Sequence, residues 1–205
     1  MKVLYIATVD YKYGAAKTQL DMILELKKNF NITPVVLTKS KNPLNEICNQ
    51  KGIENYSFWY RDIMSGSSYS NPVKNLMKHI IKFLLFHYGA LTQAGIRKCG
   101  INMDDIAFIH SNHIRIDIGA YLSKKYNIPH IWHIKELNKG HVKIVHYLYK
   151  SYEYINQNAD KFIAVTQQVK DCWSEAGIDK DKIEVVYEVQ LINVNRKMKN
   201  IYIKI

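Results

Sequence analysis

The chain has 205 residues, 47% hydrophobic and 23% charged, with 9 Gly and 4 Pro. That is the make-up of a folded domain large enough to bury a core without disulfide or metal support, and it excludes a disordered, collagenous or knottin-like chain. Lys plus Arg number 29 against 18 acidic residues, a formal charge of +11, which points to an anionic partner: a phosphate-bearing ligand, an acidic membrane surface or nucleic acid.

The first ten residues, MKVLYIATVD, carry too short an apolar run for a secretory signal and end in Asp rather than a cleavage site, so 2–7 reads as a first strand. Leu20, Ile23, Leu24 and Leu26 recur at close to helical spacing over 15–30. A strand over Ile32–Leu37, a polar helix over 43–51 ending at Gly52, and a strand over 53–60 repeat the unit. Residues 61–72, rich in Ser, Gly, Asn and Pro, read as a loop. Segment 73–98 reads as a long helix, or two helices broken at Gly89, and Ile106–His110 as the next strand. A helix over 114–126 ends in Lys124 and Lys125, suited to the negative end of a helix dipole. The strand HIWHI then follows Pro129, a helix covers 141–157, a strand 161–165, a helix 167–176 and a last strand 183–187.

This alternation predicts an α/β fold: a Rossmann-like, doubly wound, mostly parallel sheet of about seven strands. Ligands of such sheets sit at the carboxyl ends of strands, which directs attention to residues just after 7, 60, 110 and 133. Cys48, Cys99 and Cys172 are odd in number and widely spaced, which argues against a zinc knuckle or disulfide framework and for a reducing, cytoplasmic setting. Only Arg61, Arg97, Arg115 and Arg196 are arginines, and base readout leans on bidentate Arg, so the charge argues against nucleic acid.

Gly14 and Ala15 stand where the first helix begins. Low side-chain bulk there lets an anion reach free N–H groups, although a turn glycine would look the same. Neither G-x-G-x-x-G nor G-x-x-x-x-G-K-[ST] occurs. His110/His113 and His130/His133 form two H-x-x-H pairs. Side chains alternate along a strand, so His130 and His133 face opposite sides of the sheet and cannot share an ion; no metal site is expected. His110 and His133 end their strands and could project into one crevice as proton donors or oxyanion partners, or be structural. Glu136 could orient the His133 imidazole or bind sugar hydroxyls, or simply open a helix. Trp59, with Tyr56, Phe58 and Tyr60, could stack on a sugar or lipid acceptor or belong to the core. Lys74, Lys78 and Lys82 follow each other at four-residue spacing beside Ile, Leu and Phe. That is a basic amphipathic helix, too short and charged to span a bilayer, which either lies on anionic headgroups or packs in the core with a solvated Lys stripe.

Four stretches carry a resemblance: YGAAKTQLDMILELKK at 13–28, IHSNHIRIDIGAYLSKKYNIPHIWHIKEL at 109–137, NADKFIAVTQQVKDCW at 158–173 and GIDKDKIEVVY at 177–187. In order and spacing the chain resembles the N-terminal, acceptor-side domain of GT-B glycosyltransferases of family 4. The resemblance implies a hexosyltransferase-type cytoplasmic enzyme that moves a sugar from a nucleotide-sugar to a glycan or lipid-linked acceptor in surface polysaccharide or glycolipid assembly. It implies no cofactor and no metal, the nucleotide-sugar being a co-substrate; together with the basic helix at 73–88 the expected setting is the cytoplasm, peripheral on the inner face of the membrane. By the same resemblance Gly14 and Ala15 border the donor phosphates and transferred sugar, His133 matches the active-site histidine beside that sugar, and Asn112 and Glu136 are further pocket residues. Tyr13 departs from the family, in which a second Gly often stands there.

The domain is expected to span 1–187, followed by an atypical Lys/Asn/Ile-rich tail at 188–205. In the family the last matched strand runs into a second Rossmann-like domain with a basic pair for the diphosphate and two glutamates for the nucleotide-sugar. EVQLINVNRKMKNIYIKI lacks that pattern. A truncated product, inactive alone, is therefore expected. The alternative is an acceptor-binding, membrane-facing subunit of a split enzyme whose donor domain is a separate chain.

Overall fold

Strand β1 (Lys2–Ile6) is apolar on both faces, and Val3 to Ile6 are fully buried, as a strand covered from both sides requires. It is the centre of a sheet in a computed structural model that describes residues 1–7, 14–60, 64–65, 72–74, 76–77, 80–81, 89–137, 145–146 and 151–187. The other strands are β2 (Thr33–Thr38), β3 (Glu54–Ser57), β4 (Ile106–Ser111), β5 (His130–Ile134), β6 (Lys161–Ala164) and β7 (Ile183–Val185). Their order is β3-β2-β1-β4-β5-β6-β7, and every pairing is parallel. The order reverses between β1 and β4, the topological switch point of a Rossmann-like sheet.

The crossovers put the helices on both faces. Helices α1 (Gly14–Phe30) and α2 (Pro43–Gln50) cover the face bearing Val3, Tyr5, Phe108, Ile131 and Ile163. The opposite face carries α3 (Gly89–Cys99) and α4 (Ile118–Tyr126) over β1, β2 and β4. Over β5 to β7 it carries α5 (Ser151–Gln157) and α6 (Gln167–Glu175) against Trp132, Phe162 and Ile183. Local chemistry sets the helix limits. Asn42 accepts from Leu44 N at 2.9 Å with Pro43 at the first helical position of α2, and Thr166 Oγ1 accepts from Val169 N at 3.1 Å to open α6. Helix α4 stops at Asn127, whose φ of 55° lies in the left-handed region.

Four expected limits are corrected. The strand expected over 53–60 ends at Ser57, because Tyr60 turns inward to full burial, edge-on to the Phe58 ring. The helix expected over 114–126 begins at Ile118, because the carbonyls of His113 and Ile116 are taken by the Trp132 indole, which holds 112–117 as a loop. Within the segment expected to be loop, Met64–Ser65 pairs antiparallel with Val145–His146, and the latter interrupts the helix expected over 141–157, which is observed at Ser151–Gln157. Within the segment read over 73–88, the apolar side chains Val73, Leu76, Met77, Ile80 and Ile81 are exposed, against the core reading for these five, while 75, 78–79 and 82–88 lie outside the described residues. The tail at 188–205 lies outside the described residues.

Candidate functional site

Two loops meet at the carboxyl ends of β4 and β5. The first, 112–117, is anchored by Trp132 Nε1, which donates to His113 O at 3.0 Å and Ile116 O at 3.1 Å. The second follows Ile134 and is anchored by Trp173 Nε1, which donates to Glu136 O at 2.7 Å. Both tryptophans are fully buried, so each supplies a large apolar body and one fixed donor.

A side-chain bond joins the loops. His113 Nδ1 accepts from Arg115 N at 3.0 Å, so its proton sits on Nε2, which donates to Glu136 Oε1 at 2.8 Å. Burial alone would raise the Glu136 pKa, but the His113 hydrogen bond and charge, its own backbone N–H and the Arg115 charge hold it below the usual value. The carboxylate is thus ionised, and its Oε2 is buried without a hydrogen-bond partner among the described residues. The partner that Glu136 binds is His113, which the sequence reading did not consider for it.

Behind this pair three rings step across the sheet on one face. Tyr5 and His110 pair in register on β1 and β4 with ring centroids 5.4 Å apart, and His133 on β5 lies 5.4 Å from His110. His110 is completely buried, and His133 is 3% exposed. Burial above all, then the Lys135 charge, then a further imidazole (His130 acting on His110, His110 acting on His133) lowers both: His110 to about 3 and His133 well below its ordinary value. Both are therefore neutral near pH 7. A group so far from the operating pH is a poor general acid or base, and a neutral imidazole is instead a dry, oriented hydrogen-bonding group.

His130 points the other way, as strand alternation requires. Its Nδ1 donates to Asn158 O at 2.7 Å, its Nε2 accepts from Ser111 Oγ at 2.9 Å, and its ring lies 4.8 Å from that of Trp132. The H-x-x-H pair is thus split between two faces, and among the described residues no group of three or more His, Cys, Asp or Glu could hold a metal ion.

Among the remaining candidates, Asn112 is buried beside the switch point, its N–H bonded to Ile6 O at 3.0 Å. Gly14 opens α1, and a Cβ there would meet nothing within 4 Å. Ala15 is helical, but its side chain lies outside the described residues, as do those of Lys78 and Lys82. Trp59 is 51% exposed beyond the end of β3, apart from the histidine group. Lys74 is exposed in the helical segment at 72–74. Sequence reasoning missed the role of His113, considered only as half of a metal pair. It also missed Gln19, a polar residue inside the apolar stripe of α1, which is 2% exposed with no hydrogen-bond partner for its amide among the described residues. An amide at a buried helical position was the available signal.

A model of Glycosyltransferase Family 4 matches residues 20–188. The chain belongs to Glycosyltransferase Family 4. No curated protein matches it in sequence. Among solved structures, Anabaena HepE in complex with UDP and glucose superposes with a TM-score of 0.63 at 15% identity, over 92% of this chain and 44% of that one. A glycosyltransferase from Rickettsia africae gives 0.54 at 19% identity, over 90% of this chain and 42% of that one. MurG of Acinetobacter baumannii gives 0.54 at 10% identity, over 90% and 45%. At these identities the likeness is one of fold. The family 4 chain spans less than half the length of these neighbours, as the N-terminal domain of a GT-B glycosyltransferase would.

Proposed function

We propose that this family 4 domain is the acceptor-side half of an enzyme that transfers a sugar from a nucleotide-sugar to a glycan or lipid-linked acceptor. The observation that carries the reading is the grouping of neutral His110 and His133 with the ionised, half-satisfied Glu136 at the carboxyl ends of adjacent strands, beside the switch point. The UDP and glucose of the HepE complex support a nucleotide-sugar as co-substrate.

In this reading His133 lends a neutral hydrogen bond to the transferred sugar, and His110 acts through it as a positioning residue. Glu136 Oε2 and Asn112 receive sugar hydroxyls, Trp59 offers an aromatic face to the acceptor, and Gly14 and Ala15 leave room for the donor phosphates. Stabilising a leaving diphosphate is an electrostatic task, and we assign it to a second, donor-binding half. An acceptor-binding subunit working with a separate donor-domain chain is the alternative form of the same chemistry. A cytoplasmic setting is part of the proposal, supported by three free cysteines.

The test is sugar transfer by the chain mixed with a homologous donor domain over a panel of nucleotide-sugars, read by mass spectrometry of the acceptor. Transfer that needs both chains and drops at least about 100-fold in His133→Ala supports the reading. Absence of both transfer and donor-dependent thermal stabilisation with every nucleotide-sugar overturns it.

A further inference from the structure

Ala16, Gln19, Ile23 and Leu26 recur at three- and four-residue spacing along one side of α1, and all four are buried. Three of them are apolar. The Oε1 and Nε2 atoms of Gln19 are sealed from solvent and have no hydrogen-bond partner among the described residues, so a donor and an acceptor have been desolvated with nothing in return. The buried amide of Asn45 on α2 shows the contrast, since its two polar atoms are engaged by Thr38, Asn42 and Asn55.

Topology sets this amide at the level of the histidine row. Helix α1 joins two parallel strands, so it runs antiparallel to them and its first turns lie at their carboxyl edge. Ile23, Tyr5 and Phe108 belong to one apolar cluster on the face that α1 covers. From Ile23, Gln19 lies one helical turn, about 6 Å, toward the carboxyl edge. From Phe108, His110 lies two strand residues, about 6.6 Å, in the same direction and on the same face. The amide and the rings of Tyr5, His110 and His133 thus share one end of the layer between α1 and the sheet.

Chemistry selects the group that would satisfy the amide. It offers an N–H donor and a carbonyl acceptor side by side. A phosphate only accepts and an ammonium only donates, whereas a hydroxyl, or a pair of them on neighbouring ring carbons, does both. No hydrogen bond among the described residues holds this long side chain, so its amide can turn toward the crevice by a change of rotamer.

We propose that Gln19 is a specificity-determining residue whose amide turns into the crevice and hydrogen-bonds a ring hydroxyl of the transferred sugar, so that a sugar lacking this hydroxyl is rejected. The inference rests on the sugar-transfer reading and adds to it a residue that selects among sugars.

The experiment uses the full chain mixed with a homologous donor domain, as parent and as Gln19→Met, which keeps the length of the side chain and removes its hydrogen-bonding atoms. Melting temperature is read for both, with kcat/KM for the nucleotide-sugar that the parent uses best and for each of its monodeoxy analogues. Because an unsatisfied amide leaves an apolar stripe, Gln19→Met should melt at or above the parent's temperature. The parent should discriminate against one deoxy analogue by about tenfold or more, and Gln19→Met should bring that one ratio to within about twofold of unity while the others stay. If the parent transfers sugar and the variant keeps every ratio, whatever its overall rate, the inference alone is overturned and the sugar-transfer reading stands. A variant that melts several degrees lower also overturns it, since the amide would then be bonded within the fold. If the parent transfers no sugar from any nucleotide-sugar, the sugar-transfer reading fails and the inference falls with it.

Discussion

His113 Nε2 donates to Glu136 Oε1 at 2.8 Å, linking the loop after β4 to the loop after β5. Both partners are less than about a third exposed, so the bond is only partly screened. A double-mutant cycle of His113→Ala and Glu136→Gln, read by urea denaturation, should return a coupling of about 1–3 kcal/mol. A coupling near zero would show that the pair does not order the two loops.

The three buried imidazoles make stability depend on pH. Burial lowers His110 to about 3, His130 to about 4 and His133 well below the ordinary value, whereas each titrates near 6.5 in the unfolded chain. The unfolded state therefore binds more protons below pH 6.5. The stabilisation is fully present above that value and is lost as pH falls toward the folded values, with a slope of about 1.4 kcal/mol per pH unit for each histidine. Unfolding free energy should fall by about 3–4 kcal/mol between pH 6 and 5, and His133→Gln should remove about a third of that slope. A flat profile over this interval would contradict the burial of these rings.

Gly119 in α4 lies where a Cβ would come within 2.2 Å of Ser111 Oγ and 2.6 Å of His130 Nε2. Neither atom can withdraw cheaply, because they bond each other and His130 is also tied to Asn158. Gly119→Ala should cost about 2–3 kcal/mol and lower Tm by about 5–10 °C. Gly14→Ala, where a Cβ meets nothing within 4 Å, serves as the control and should stay within about 0.5 kcal/mol.

Asn45 is buried at the start of α2 and ties three elements together. Its Oδ1 accepts from Thr38 Oγ1 and Asn42 N, each at 3.0 Å, and its Nδ2 donates to Asn55 Oδ1 at 3.0 Å. Asn45→Ala leaves those partners without their bonds in a mostly dry site and should cost about 2–4 kcal/mol by chemical denaturation. A loss below about 0.5 kcal/mol would mean that water replaces the amide.

The alternation of strand and helix was legible in the chain itself, because apolar periodicity is a local property: β1, β2, β5 and β6 lie within a residue or two of their expected limits. That His130 and His133 occupy opposite faces follows from the two-residue repeat of any strand. What the sequence could not contain was which loops meet. Glu136 is nearer in sequence to His133 than to His113, yet its partner is His113, because β4 and β5 are neighbours and two buried indoles fix the carbonyls of the loops that follow them. The same reason separates the two apolar helical segments. Composition alone fits either one to the core, and only packing shows that α1 is covered by the sheet while Val73, Leu76 and Ile80 are left in solvent. Periodicity is written in each segment, but burial, ion pairing and the pKa values that follow from them depend on what the folded chain brings alongside.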